Sequence, residues 1–356
     1  MKKYLIVSLV VVAALSVAVT AALAKTSSKS ANADVCVLLP DSKSSVRWET
    51  QDRRYLAQNF KRAGVSYSIV NAEGSAQTQK SQADTCLANG AKVVLLVNLD
   101  SGSGAAIEAA AKAKGAKSID YDRLTLNGGS SYYVSFDNVQ VGKLQGLGIA
   151  AALKAKNGGT ITKGTPLALL NGGPTDNNAT LFRNGYLSVL QPYIKAGALK
   201  KVADQWVPQW DNQKARSIFE AMLAKTGNNI KIVAAANDGL ANAVVSALKA
   251  KKLSPIPVSG QDATSQGVQN IISGWQSGTV YKPIQLEANA AANVAIALIK
   301  GQKVKVNGST NNGQRGVPSV LAKPIWVTKA NYTRLFTDGF LKKSDVCNGT
   351  YAQYCK

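Results

Sequence analysis

Short apolar runs, each closed by a turn residue and followed by a longer stretch with helical spacing, recur through most of this chain. Val35-Cys36-Val37-Leu38-Leu39 ends at Pro40-Asp41. Helical spacing then covers 46–63 and stops at Gly64, and a strand is predicted over 67–70. A helix over 76–88 ends at Asn89-Gly90, a strand covers 93–97, an Ala-rich helix covers 104–114, and 117–121 is the next strand. After a turn at Asn127-Gly128-Gly129 the pattern predicts a strand over 132–136 and a helix over 139–155. A second run of the same rhythm follows. Its strands are expected at 167–170, 201–204, 230–235, 256–259 and 279–281, with helices over 178–196, 212–225, 240–251 and 265–273. Strands apolar on both faces that alternate with amphipathic helices form a parallel sheet covered on both sides. The fold class predicted is therefore α/β, with two doubly wound, Rossmann-like parallel-sheet lobes. A length of 356 residues agrees, since a domain averages about 150 residues.

The N-terminus stands apart from this rhythm. Lys2-Lys3 precede an unbroken apolar run from Tyr4 to Val19, and Ala22-Leu23-Ala24 has the small-x-small form of a cleavage site. Residues 1–24 read as an export signal, or as an anchor left uncleaved. Residues 25–33, rich in Ser, Lys and Ala, read as a linker. The net charge of +22 changes little in this picture. Lys and Arg are dispersed, without a basic run or an aromatic-interleaved patch, so a solvated basic surface is expected and no nucleic-acid partner.

Four cysteines in an exported chain point to disulfides, with three possible pairings. Cys347 and Cys355 flank a short polar loop and are expected to pair. Cys36, in the first strand, and Cys86, late in a helix, then form a second bridge or remain buried thiols. Histidine is absent, which removes Ser-His-Asp and Cys-His catalysis and most transition-metal sites. No metal and no cofactor is expected.

The candidate chemistry lies just past the strands. Arg47-Trp48 follow the first, Asp122-Arg123 the fourth, and Asp176-Asn177-Asn178 the first strand of the second run. Trp206 and Trp210 come next, then Asn237-Asp238, Gln261-Asp262 and Tyr281-Lys282-Pro283. Taken singly, an Asp or Asn here is a helix cap, a Trp is core and a Lys is solvated. Their coincidence at seven strand ends is what singles them out, because ligands of open α/β sheets sit beyond the carboxyl ends of the strands. Acids, amides and bases in near balance suit a neutral polyhydroxylated ring, whose hydroxyls both donate and accept. Tryptophan covers the apolar C–H face of such a ring. Phosphate is disfavoured, since Gly102-Ser103-Gly104 lacks the Lys-Ser/Thr ending of a P-loop.

Several segments carry a family resemblance: RWETQDR at 47–53, DYDRL at 120–124, YYVSFDNVQVGKLQ at 132–145 and GGPTDNNATLFRNG at 172–185. DQWVPQW at 204–210, ANDG at 236–239, SGQDA at 259–263, TVYKPI at 279–284 and TDGF at 337–340 extend it. From about Val35 to Phe340 the chain resembles the type I periplasmic binding proteins of the ribose/galactose class, in particular their D-xylose-binding branch serving ABC transporters. The resemblance implies that Arg47, Asp122, Arg123, Asp176, Asn178, Asn237, Asp262 and Lys282 hydrogen-bond a monosaccharide, with Trp48 and Trp210 stacking on it. It also implies three crossings between the lobes, near 138–142, 282–285 and 318–324. Residues 34–138 and 285–318 would form the N-terminal lobe, 142–282 and 324–340 the C-terminal one, and 341–356 a Cys-containing tail. The chain departs from the family pattern in that tail and at Asn98-Leu99-Asp100-Ser101-Gly102 on the cleft rim.

The function implied is an extracytoplasmic, monomeric receptor that closes on its sugar and hands it to a membrane permease. A receptor for another aldose or polyol, or one serving a membrane sensor, shares these features. Paired carboxylates in a sugar cleft can also be catalytic, but these acids are matched with Arg, Lys or Asn as binders would be. A repressor of the same core fold would carry an N-terminal helix-turn-helix where this chain has its export signal.

Overall fold

The computed structural model describes residues 32–355; the export-signal segment and most of the linker lie outside them. Five strands open the chain: β1 (Val35–Leu39), β2 (Tyr67–Asn71), β3 (Val93–Leu96), β4 (Lys117–Tyr121) and β5 (Tyr132–Phe136). Between them run α1 (Arg53–Ala63), α2 (Ala76–Ala88) and α3 (Ser101–Ala113), and α4 (Asn138–Lys156) follows β5. The second run comprises β6 (Thr165–Asn171), α5 (Asn177–Lys195), β7 (Leu199–Trp206), α6 (Asn212–Lys225), β8 (Ile232–Ala235), α7 (Asp238–Ala250), α8 (Ser265–Ile272) and β9 (Thr279–Tyr281). The chain ends with α9 (Ile284–Ile299), β10 (Gly308–Asn311), β11 (Gly316–Ala322), β12 (Ile325–Val327) and the short helices α10 (Arg334–Thr337) and α11 (Lys343–Val346).

Seven strands form one sheet in the order β10-β11-β5-β4-β3-β1-β2, parallel except for the β10–β11 pair. The alternation along β1 shows why both faces are apolar. Val35, Val37 and Leu39 pack with Leu56 and Phe60 of α1 and Ala288 of α9, whereas Leu38 joins Ala83, Leu87 and Ile107 on the α2–α3 side. Cys36, pointing to that same side, is bonded to Cys86 of α2. That bridge closes a loop of 50 residues, which in the chain-entropy account stabilises the fold by about 4 kcal/mol.

The second sheet runs β7-β6-β8 and is continued by parallel bridges from Val233 to Val258 and from Gln261 to Val280, with β12 antiparallel on β9. The strand expected at 256–259 is thus reduced to the single bridge at Val258, because Pro255 and Pro257 interrupt its backbone donors. The strands β10, β11 and β12 were not anticipated. The β10 run is polar, β11 is interrupted by Pro318 and β12 has only three residues, and they lie at the margins of their sheets, where alternation is weakest. The helix expected from Gly104 begins at Ser101, capped by Asp100, whose carboxylate accepts from the Ser103 N–H at 2.8 Å.

The chain passes between the sheets three times: at Asp137, at Lys282-Pro283 and at Lys323-Pro324. Because β11 pairs with β5 as far as Ala322, the third crossing is confined to two residues of the stretch expected. Helices α4 and α5 lie together in the second lobe. A Cβ on Gly142 would come within 2.0 Å of the Phe182 carbonyl oxygen, and one on Gly185 within 2.3 Å of that of Val139. Only glycine permits this approach, and it brings the helix starts together, with Asn138 Nδ2 donating to Asn178 Oδ1 at 2.8 Å. The tail, closed by the Cys347–Cys355 bridge, packs on α8: Gln269 Nε2 donates to the Val346 carbonyl at 3.1 Å, and Val346 is fully buried.

Directly behind the β4 tip, Glu108 and Asp120 are buried side by side. Asp120 accepts from the Thr125 N–H and hydroxyl and from the Ser130 hydroxyl at 2.7–2.9 Å. Burial, and then the neighbouring Asp120 charge, push the Glu108 carboxyl from 4.5 up to about 9. The folded chain therefore retains a proton that the unfolded chain releases above its ordinary carboxylate pKa. This contribution to stability is complete at acid pH and is lost progressively as pH rises towards 9. Thermal unfolding followed from pH 5 to pH 9 should show Glu108→Gln losing less of its midpoint with rising pH than the parent; parallel curves would contradict the pairing.

Candidate functional site

The first element of the site is a single π-helical turn, Trp48–Asp52. Its wider winding closes i to i+5 contacts, which brings Asp52 back beneath Arg47. The Arg47 guanidinium donates through Nε and Nη2 to both oxygens of Asp52 at 2.9 and 2.8 Å. The same group donates through Nη1 to Asp122 Oδ2 at 2.7 Å and through Nη2 to Glu287 Oε2 at 2.5 Å. Tyr121, one residue before Asp122, also donates its hydroxyl to Asp52. Burial opposes charge on Arg47, but Asp52, Glu287 and Asp122 outweigh it and hold its pKa well above the usual arginine value. One guanidinium cannot neutralise three buried carboxylates. The excess falls on Glu287, whose carboxyl burial raises well above its ordinary range despite Arg47. Asp122, by contrast, is lowered: its burial is outweighed by Arg47, Lys282 and Arg123.

Asp122 occupies the left-handed region, φ +61°, a conformation a short acid tolerates better than most residues. Its carbonyl oxygen accepts from the Tyr133 hydroxyl at 3.0 Å, the Ser135 hydroxyl at 2.8 Å and Asn178 Nδ2 at 3.0 Å. The last of these bonds reaches it from the other lobe. Arg123 also crosses the gap, with Nε 3.1 Å from Asp176 Oδ2. Asp176 caps α5 through the Asn178 N–H at 2.9 Å and accepts from Trp210 Nε1 at 3.1 Å. Burial, reinforced by the Asp122 charge, raises its pKa against the pull of Arg123.

Trp210 is held flat by glycine. A Cβ on Gly172 would come within 2.0 Å of its ring, and Gln209 and Trp210 both adopt positive φ. Opposite, Trp48 carries the Arg47 guanidinium 4.4 Å from its ring centroid. Asn237 caps α7, its Oδ1 accepting from the Leu240 N–H at 2.9 Å. Lys282, the residue at the second crossing, places its Nζ 3.0 Å from Asp262 Oδ1.

All ten residues anticipated from the sequence line one buried hollow between the lobes: Arg47, Trp48, Asp122, Arg123, Asp176, Asn178, Trp210, Asn237, Asp262 and Lys282. Ser44, Ser45, Phe182 and Gln261 complete the wall. The hollow offers about 30 Å³ to a water-sized body. Five of the strand-end residues, Asn177, Trp206, Asp238, Tyr281 and Pro283, lie elsewhere. Trp206 packs against the second-lobe core, and Asp238 is buried behind Asn237, accepting from the Thr264 N–H at 2.8 Å and from Gln276 at 2.9 Å. Asp52 and Glu287, which fix Arg47, were missed. The one charged residue of the 284–299 helix, and a carboxylate five residues after Arg47, were signals for them. Phe182 stands one turn beyond Asn178 on α5 and could have been found from that spacing.

Because burial disfavours the charged form of Glu287, Glu287→Gln should keep urea-unfolding stability at pH 7 within about 1 kcal/mol of the parent. Asp52→Ala, which strips a buried guanidinium of its bidentate partner, should cost about 3–5 kcal/mol. Equal losses in the two variants would contradict this difference between the two acids.

This architecture has known counterparts. Residues 35–303 match the model of the periplasmic binding protein domain. The D-xylose-binding periplasmic protein of Escherichia coli K12 is 37% identical over 302 residues, covering 84% of this chain and 88% of that relative. The multiple sugar-binding periplasmic receptor ChvE of Rhizobium radiobacter is 32% identical over 359 residues, 96% of this chain and 98% of the relative. Among solved structures, an ABC transporter solute binding protein from Clostridium phytofermentans with bound β-D-glucose superposes with a TM-score of 0.81 at 31% identity, covering 88% of this chain and 99% of that one. With the family match spanning most of its length, the chain belongs to the periplasmic binding protein family.

Proposed function

We propose that this protein is the extracytoplasmic, monomeric solute receptor of an ABC sugar transporter, that it binds one monosaccharide, D-xylose foremost, between its lobes, and that it presents the closed form to a membrane permease. The observation that carries this reading is the convergence of ten acid, amide, base and indole side chains from both lobes on a single buried hollow. Each sugar hydroxyl needs a donor and an acceptor. Asp122, Asp176 and Asp262 offer acceptors, and Arg47, Arg123, Lys282 and the Asn237 amide offer donors. Hydrogen bonds to charged groups contribute roughly 1.5–3 kcal/mol each, and Trp48 and Trp210 supply apolar faces. Space for one or two waters does not admit a pyranose at this separation of the lobes. Entry therefore requires them to part about the three crossings and close again. Among the described residues no helix is long and apolar enough to cross a membrane, and the relatives named above are periplasmic.

A receptor of broader range is the second reading, favoured by the similar structure that holds β-D-glucose. Catalysis fits less well, since the carboxylates of the hollow are engaged by guanidinium, ammonium and amide groups. Titration calorimetry should give one xylose per chain, with the sugar recovered unchanged, and Arg123→Ala should lose binding by a hundredfold or more while remaining folded. A tighter response to glucose would favour the broader receptor, turnover would sink the receptor reading, and binding within twofold of the parent would remove Arg123 from the site.

A further inference from the structure

The hollow opens into a second, larger cavity that the monosaccharide reading does not use. By the same water-sized measure this vestibule holds about 760 Å³ against about 30 Å³ inside, within the ~300–1,000 Å³ of small-molecule sites. The two spaces share Ser44, Arg123, Asp176 and Trp210 as a common wall. Both lobes build the vestibule. Asp41, Glu73, Leu99 and Asp100 come from the first, and Thr175, Gln209, Asn212 and Gln213 from the second. They touch across it, the Thr175 hydroxyl donating to the Leu99 carbonyl at 3.3 Å.

We propose that the vestibule is a second sugar subsite, so that the protein also accepts a neutral disaccharide or glycoside, with one ring in the hollow and the next in the vestibule. This rests on the reading of the hollow as a monosaccharide site. Three observations support it. The lining repeats the chemistry of the hollow, with amides from Gln209, Asn212 and Gln213, acids from Asp41, Glu73, Asp100 and Asp211, and Lys43 and Arg123 as bases. Trp210 borders both spaces, so one indole held by Gly172 and Gly173 can cover a ring in each. A molecule in the vestibule touches both lobes, and so its contacts are gained only on closure. Acids outnumber bases in this lining although the whole chain carries +22, which disfavours a uronic acid or a phosphorylated sugar as the second ring.

The test is calorimetry on the full chain with xylose and with xylobiose, its β-linked disaccharide. Xylobiose should bind one per chain and displace xylose. Ala76→Trp fills the vestibule from the start of α2 without touching the hollow, and it should weaken xylobiose at least tenfold while leaving xylose within twofold. Gln213→Trp repeats the test from the opposite lobe. Xylose binding that xylobiose cannot displace, or xylobiose binding indifferent to both variants, overturns the subsite and leaves the monosaccharide site intact. Failure of both sugars overturns both.

Discussion

The first-lobe wall of the cleft is built around one guanidinium. Arg47 touches Asp52, Asp122 and Glu287 at 2.5–2.9 Å, and those three acids come from the first π-helical turn, the tip of β4 and the start of α9. A buried arginine shared by three carboxylates is costly unless every bond is made, and the protein meets that cost by fixing three separate elements at one point. Asp122 is thereby anchored from below, while its carbonyl oxygen is anchored from both lobes. Its free edge is presented at a set position to whatever enters the hollow. Burial raises the Glu287 carboxyl, which favours its uncharged form and so eases the excess of negative charge around the single base.

The crossings tie this site to motion. Lys282 is a crossing residue and a wall of the hollow at once. Asn138, immediately after another crossing, is bonded to Asn178, which in turn donates to Asp122 at 3.0 and 3.1 Å. A change in lobe separation therefore cannot leave the site untouched. The direct Arg123–Asp176 and Asn178–Asp122 contacts are bonds that parting the lobes must break, and in the account proposed here sugar hydroxyls compensate for that loss.

The alternating sheet-and-helix order was legible because both-face apolar strands such as β1 and β6 leave a strong signal. So was the set of ten polar and indole residues, since each follows a strand and the family segments carry the same positions. What escaped had weaker or longer-range causes. Among the margin strands β10 is polar, β11 contains Pro318 and β12 has only three residues, and the prolines before Val258 reduced an expected strand to one bridge. Asp52 was hidden because a π-turn, rather than the regular helix expected over 46–63, puts it beneath Arg47. Glu287 lies 240 residues from the arginine it meets, a distance over which spacing carries no information. The vestibule is likewise a product of how two lobes face each other, and no local pattern encodes that.

The most direct test of the central claim is a crystal structure of the protein grown with D-xylose. The account predicts one pyranose between the lobes, stacked between Trp48 and Trp210, with its hydroxyls bonded to Asp122 and Arg123 on one side and to Asp176 and Asn237 on the other. Arg47 should remain clasped by Asp52. A sugar bound outside this hollow, or an unoccupied hollow at saturating xylose, would contradict it.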